Sequence, residues 1–245
     1  MSELDFSGKT VLVAGGSSGI GNGIARAFLV RGAEVHVWGT RAGAGDYDPA
    51  EGSDLSGLAY SQVDVSDMAA IDGWTPTFDR LDILVLSQGI VVYGRGEFEQ
   101  EGWDKVMAVN LDSLRACAMK FHDMLAASGG SLIIVSSTAA FHSTRGNPAY
   151  TASKAGAMAL TRMLGEAWAP EGIRVNGIAP GLVDTKMTKV TTENEKRLAG
   201  ALSAIPQGRL GTPGDMAGVA MFLASPLASY VTGQTIIADG GLILS

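Results

Sequence analysis

Short runs of β-branched and aliphatic residues alternate with longer stretches of helical periodicity along the 245 residues of the chain. The pattern predicts strands over 10–14, 34–38, 59–63, 83–86, 131–135, 174–178 and 235–238. It predicts helices over 20–31, 103–127, 149–169 and 213–224. Two of the strand runs, Ile83-Leu84-Val85-Leu86 and Leu132-Ile133-Ile134-Val135, are apolar throughout. Strict alternation would mark a half-exposed strand, whereas a continuous run suits a parallel strand covered on both sides. Strand and helix in repeated succession give an α/β fold, a doubly wound parallel sheet of about seven strands with helices on both faces. No Pro/Gly/Ser linker or internal repeat divides the chain, so 1–245 reads as one domain. Two segments break the rhythm. Residues 42–56 carry Asp46, Asp48, Glu51 and Asp54 among glycines and alanines and read as a solvated loop where a helix would be expected. Residues 183–208 follow the sixth strand and are polar and rich in capping residues. A long segment beyond the carboxyl end of a strand in such a sheet has the place of a substrate lid.

Composition narrows the partners. Net charge is −7 with a pI near 4.9, and no basic stripe is present, which argues against nucleic acid and against anionic membrane surfaces. No run of 18 apolar residues exists to span a bilayer. The start, Met1-Ser2-Glu3-Leu4-Asp5, is acidic and lacks the basic and apolar regions of a signal peptide. Cys117, the single cysteine, cannot form an internal disulfide and fits a small core residue in a reducing, cytoplasmic setting. The three histidines (His36, His122, His142) are scattered, and no metal-ligand cluster is expected.

Chemistry gathers at two places. Val11-Leu12-Val13-Ala14-Gly15-Gly16-Ser17-Ser18-Gly19-Ile20-Gly21 is a strand, a glycine-rich turn and the start of a helix. Gly15 permits the sharp turn, Gly19 lets backbone approach a pyrophosphate, and Gly21 lets helix and strand pack closely. The helix N-terminus adds N–H groups and partial positive charge. Further on, Tyr150 and Lys154 stand four residues apart on a predicted helix, so phenol and ammonium share one face. A nearby cation favours the phenolate and makes Tyr150 a candidate proton donor or acceptor.

Together these residues resemble the short-chain dehydrogenase/reductase family, over essentially the whole chain. Ala14-Gly15 through Gly19-Ile20-Gly21 is similar to the family's T-G-x-x-x-G-x-G pattern, and Tyr150 and Lys154 to its Tyr-x-x-x-Lys. Ser137, thirteen residues before Tyr150, stands at the place of the catalytic serine, and Asn110 at that of the helix asparagine. Val175-Asn176, Pro180-Gly181 and the tail from Tyr230-Val231-Thr232-Gly233 to Asp239-Gly240-Gly241 continue the match. The resemblance implies a Rossmann-type fold and a set of roles. Tyr150 protonates the carbonyl oxygen in reduction or takes the hydroxyl proton in oxidation. Lys154 favours the phenolate and holds the nicotinamide ribose, Ser137 hydrogen-bonds the substrate oxygen, and Asn110 helps hold a water leading from Lys154 to solvent. It further implies that Gly15, Ser17, Ser18, Gly19, Ile20, Gly21, Thr40, Arg41, Asp64, Val65, Gly89, Pro180, Gly181, Val183 and Thr185 line the cofactor site together with Tyr150 and Lys154. Departures exist. Ala14 replaces the family's threonine, and Leu86-Ser87-Gln88-Gly89 keeps only the glycine of its Asn-Asn-Ala-Gly stretch.

The resemblance places Gly39 where an acidic residue would select NAD. With no carboxylate there to repel a 2′-phosphate, Thr40 and Arg41 favour NADP over NAD. The pocket mouth is expected near Val91, Tyr93, His142, Arg145, Val183 and Met187, with Ser137, Tyr150, Val91, His142 and Met187 touching substrate. His142 is read as a polar wall residue, and Arg145 as binding either an anionic substrate or a neighbouring carboxylate. The C-terminal half is most similar to the 3-oxoacyl-acyl-carrier-protein reductase branch. The turns that would dock an acidic carrier, 126–130 and 170–172, contain no cation and one acid, Glu171. A small secondary alcohol or ketone is therefore the preferred substrate, with the carrier-linked 3-oxoacyl group as the alternative. A lyase of the halohydrin dehalogenase type is opposed by Lys154 and the glycine turn. A non-catalytic nucleotide-binding role is opposed by Asn110, Ser137, Tyr150 and Lys154 occurring together. The resemblance finally implies a homotetramer. It would be packed through the helices of Asn110 and Tyr150, with Ala116, Ala118, Ala152, Ala155, Gly156, Ala157 and Ala159 as small contact residues, and through the apolar Gly240-Gly241-Leu242-Ile243-Leu244 tail.

Overall fold

The computed structural model of the protein describes residues 3–244, so Met1, Ser2 and Ser245 lie outside it. Seven strands form one sheet: β1 (Thr10–Ala14), β2 (Glu34–Gly39), β3 (Ala59–Gln62), β4 (Ile83–Leu86), β5 (Ser131–Val135), β6 (Arg174–Pro180) and β7 (Thr235–Ala238). Their order is β3-β2-β1-β4-β5-β6-β7, and every pairing is parallel. The chain reverses its direction of winding between β1 and β4. A crevice opens there beyond the carboxyl ends of the strands, the usual ligand position in such sheets.

The apolar runs account for the layers. Along β1, Val11 and Val13 face one side and Leu12 and Ala14 the other, and all four are fully buried. The first side packs on Ile24 and Phe28 of α1 (Gly19–Val30) and on Met216 and Leu223 of α8 (Pro213–Ala224). The second packs on Ile71 of α2 (Met68–Gly73), on Leu114, Cys117 and Phe121 of α4 (Ser113–Ser128), and on Leu164 and Trp168 of α5 (Pro148–Trp168). Cys117 is a core residue, and burial pushes its thiol up to about 12.

Four features differ from the expectation. The long predicted helix 103–127 is two helices, α3 (Gln100–Met107) and α4, joined without a break by a π turn over Ala108–Asp112. The short helix α2 was not expected; Asp67 caps it by accepting the Ala69 N–H at 2.9 Å. The segment 183–208 is largely helical, with α6 (Lys189–Thr192) and α7 (Glu195–Ala204). Of the small residues assigned to contacts between copies, Ala118 and Ala157 are wholly buried inside the subunit, because both face the sheet. The loop expected over 42–56 is irregular, with short 3-10 turns at Ala44–Asp46 and Pro49–Glu51.

Candidate active site

The crevice is a cleft of about 340 Å³. It runs from Trp38, Gly39 and Thr40 at the end of β2, past the glycine turn, to Ser137, Tyr150 and Lys154. Close approach explains the glycines. Gly15 has φ +74°, and a Cβ there would lie 2.7 Å from the Gln88 backbone nitrogen. A Cβ on Gly21 would overlap the Gly15 carbonyl oxygen. The turn is therefore locked against both its own helix and the β4 loop. One of its helix-end amides is already in use, because Gly19 N–H donates to the Gly52 carbonyl at 3.2 Å. The β2–β3 loop thus reaches across to the glycine turn.

At the other end, α5 carries Tyr150 and Lys154 on one face, with the ammonium 5.8 Å from the centre of the phenol ring. Lys154 Nζ donates to the Val135 carbonyl at 2.9 Å, and burial brings its pKa down to about 8. Gly89 leaves it room, since a Cβ there would come within 3.2 Å of the ammonium. Burial pushes the Tyr150 phenol up, and a hydrogen bond from Ser137 opposes that shift. The lowering expected from Lys154 does not prevail: desolvation of the phenolate is the dominant effect. Ser137 Oγ accepts the Ala139 N–H at 3.1 Å, which leaves its own hydrogen to donate. The neighbouring Ser136 instead donates to the Lys154 carbonyl at 2.8 Å and so anchors the helix. Geometry thus separates two serines that adjoin in sequence.

Asn110 sits within the π turn and is fully buried. Its side chain acts like a strand neighbour of Ile90, accepting from that N–H at 2.8 Å and donating to that carbonyl at 2.9 Å. The second amide hydrogen goes to Ser153 Oγ at 3.2 Å. The side-chain amide is thus spent on tying the β4 loop to α5.

Among the expected cofactor and substrate residues, Gly15, Ser17, Ser18, Gly19, Ile20, Gly21, Thr40, Val65, Gly89, Ser137, Tyr150, Lys154, Pro180, Gly181, Val183, Thr185 and Met187 line the cleft. Arg41, Asp64, Val91 and His142 lie outside that lining. Arg41 lays its guanidinium 4.8 Å from the centre of the Tyr47 ring and donates to the Asp46 carbonyl. Asp64 turns back to accept from Ser66, and His142 is exposed. Trp38, Val63, Val109 and Lys186 line the cleft without having been singled out. The hydrophobic three are also buried core residues. Gly39 now has a steric reason: a Cβ there would overlap the Tyr47 hydroxyl and lie 2.6 Å from Ser17 Oγ. The segment after β6 is clasped over the cleft from both rims. Tyr93 donates to the Met187 carbonyl at 2.9 Å, and Lys186 pairs with Glu51 at 2.8 Å. Among the described residues no group of three or more His, Cys, Asp or Glu could hold a metal, and no helix is long and apolar enough to cross a membrane.

Comparison with known proteins bears on this geometry. The family model for enoyl-(acyl carrier protein) reductase matches residues 14–243. The chain is 40% identical to the 3-oxoacyl-[acyl-carrier-protein] reductase FabG of Chlamydia pneumoniae, over 98% of this chain and 99% of that protein. It is 37% identical to the 2-dehydro-3-deoxy-D-gluconate 5-dehydrogenase of Bacillus subtilis, over 97% and 96%. A solved structure of a putative 2-deoxy-d-gluconate 3-dehydrogenase from Agrobacterium tumefaciens, with bound NADP, matches with a TM-score of 0.88 at 35% identity and covers both chains fully.

Proposed function

Since the chain belongs to the short-chain dehydrogenase/reductase family, we propose that Tyr150 is its proton donor and acceptor, with Ser137, Lys154 and Asn110 arranged around it. The protein is an NAD(P)-dependent oxidoreductase that interconverts an alcohol and a ketone. Its cofactor is NADP in preference to NAD, an assignment consistent with the NADP found in the Agrobacterium structure. The glycine turn fits a dinucleotide, because its cradle has room for backbone alone where a pyrophosphate would lie against the α1 terminus. When bound, the cofactor gives or takes the hydride, and the chain supplies position and proton.

In reduction, the Tyr150 hydroxyl donates its proton to the ketone oxygen, and the Ser137 hydroxyl donates a hydrogen bond to the same atom. The Lys154 ammonium, fixed by the Val135 carbonyl, would hold the ribose of the bound cofactor and keep positive charge beside the developing phenolate. Asn110 fixes the loop that carries Gly89 and Ile90 against α5. The observation that carries this reading is the convergence of Ser137, Tyr150 and Lys154 at one end of a cleft whose other end is the glycine turn. Residues 1–245 act as one domain, with 183–208 as its lid.

NADP preference is supported by Gly39, where Tyr47 leaves no space for the carboxylate that would select NAD, and by Thr40 in the cleft wall. Arg41 stands at the rim beside Tyr47 as the cation for a 2′-phosphate. A small ketone or secondary alcohol is the favoured substrate because the turns at 126–130 and 170–172 offer no cation to an acidic carrier. Identity to the Chlamydia reductase favours the second reading, a carrier-linked 3-oxoacyl group. One absorbance assay separates these readings. Small ketones and a 3-oxoacyl thioester on acyl carrier protein are each offered with NADPH and with NADH. Faster turnover with small ketones and NADPH is the expected result. Preference for the carrier thioester overturns the substrate assignment, and preference for NADH overturns that of the cofactor.

A homotetramer in the cytoplasm is the assembly we favour. Ala152 and Ala159 are exposed on α5, where they allow close helix approach, and Ile237 of β7 and Leu244 of the tail are exposed apolar side chains. Sedimentation at micromolar concentration should give about four times the 25.3 kDa chain mass. A monomer mass would remove both interfaces.

A further inference from the structure

Glu97 is a carboxylate with 1% of its surface exposed, and no sequence signal pointed to it. Its partners are all donors. Oε1 accepts from Val92 N–H at 3.1 Å and from Asn147 Nδ2 at 3.2 Å, and Oε2 accepts from Tyr150 N–H at 2.8 Å. A carboxylate has only acceptors to offer, and all three partners here are N–H donors.

The place of these bonds matters. α5 begins at Asn147, whose side chain provides no cap, and its first residue is Pro148, which has no N–H. Tyr150 carries the third amide of the helix, which an N-capping side chain normally satisfies. Here Glu97 reaches from another element to do so, and it brings negative charge to the positive end of the helix. Through Val92 the same carboxylate holds the loop that presents Tyr93, the residue hydrogen-bonded to Met187 of the lid.

The backbone around Glu97 is built to seat it. Arg95 has φ +65°, the single positive φ outside glycine among the described residues, a conformation that crowds an ordinary side chain against its own backbone. A Cβ on Gly102 would overlap the Gly96 carbonyl oxygen, so α3 presses directly on this turn. A strained, closely packed turn that delivers one buried carboxylate to one amide is a positioning device.

We propose that Glu97 is a positioning residue for the reaction: it fixes the height and rotation of Tyr150 at the start of α5 and sets a negative charge at the helix end that carries the phenol. The inference rests on Tyr150 being the proton donor. The charged or titratable groups facing the phenol are Lys154 on its own helix, Tyr93 on the β4 loop and Glu97, with the Ser137 hydroxyl hydrogen-bonded to it. Of these, Tyr93 and Glu97 push the phenol pKa up.

The test is Glu97→Gln, in the whole enzyme, with kcat, KM and the pH profile of alcohol oxidation measured together. Glutamine keeps the shape, removes the charge and turns an NH₂ toward an N–H donor. The expected result is a kcat lower by on the order of tenfold, below the ~10²-fold of a full 1 Å misplacement, with KM little changed. The rising limb of oxidation should also move to lower pH, because loss of the negative charge favours the phenolate. A simple loss of folded protein would lower kcat without moving the limb. An unmoved limb or an unchanged kcat overturns the inference. Glu97→Asp keeps the charge and shortens the reach; it should lower kcat and leave the limb in place, and a wild-type kcat there also overturns it. Failure of the underlying reading is distinguishable, since it would show in Tyr150→Phe rather than in either Glu97 variant.

Discussion

Replacing Tyr150 with phenylalanine should lower ketone reduction by at least ~10²-fold while dinucleotide binding stays near the wild-type level. The ring that packs beside Lys154 is kept, and the hydroxyl that donates to substrate is lost. The pH profile sharpens the test. Burial pushes the Tyr150 phenol up, so at neutral pH it is in the form that reduction needs. Oxidation needs the phenolate, so its rate should climb with pH in the wild type. Above about 8, Lys154 loses the charge that supports that phenolate, which works against the climb. Residual activity in the phenylalanine variant should lose the climb altogether. Rates and profile matching the wild type would remove Tyr150 from the chemistry.

The other large effect is expected at the opposite end of the cleft. Gly21→Ala places a methyl where the Gly15 carbonyl oxygen stands. That oxygen belongs to a residue wedged 2.7 Å, at its absent Cβ, from the Gln88 backbone, so the turn cannot retreat from the helix. Either α1 moves away from β1 or the turn distorts, and in both cases the phosphate-facing amides leave their positions. A shift of about 1 Å in such a site is worth ~10²-fold, and the overpacking itself about 1–3 kcal/mol of stability. NADPH titration by fluorescence and a thermal melt would register both. A variant that binds NADPH with wild-type affinity would contradict the account of Gly21.

Much of this was legible in the chain because each strand is announced by its neighbours' covering. Leu84 and Val85 are both apolar because helices lie on both sides, and that pattern gives the parallel sheet directly. That the glycine turn, Ser137, Tyr150 and Lys154 face one cleft was legible for a similar reason, since their spacing is fixed by a strand end or a helix face. What was hidden depended on contacts distant in sequence. The sequence shows only the charge of Arg41, but Tyr47, six residues later, takes up both its guanidinium and its backbone N–H. Nothing in the polar stretch around Glu97 marks it as buried, because its partners lie at Val92, Asn147 and Tyr150. The π turn carries no Gly or Pro to announce it, and it holds Asn110 against Ile90, distant in sequence.

That turn makes the α3–α4 rod one residue too long for its own winding. A residue subtends about 100° of an α-helix, so the surplus is absorbed as a local frame shift between two halves with different partners. Upstream, Val106 keeps its buried face; downstream, Leu114, Cys117 and Phe121 keep theirs. A deletion within 108–112 would relax the backbone into ordinary helix, yet it would turn α3 by about a quarter of a circle against the rest. The rod would gain regularity by the loss, and would thereby uncouple the β4 loop from α5.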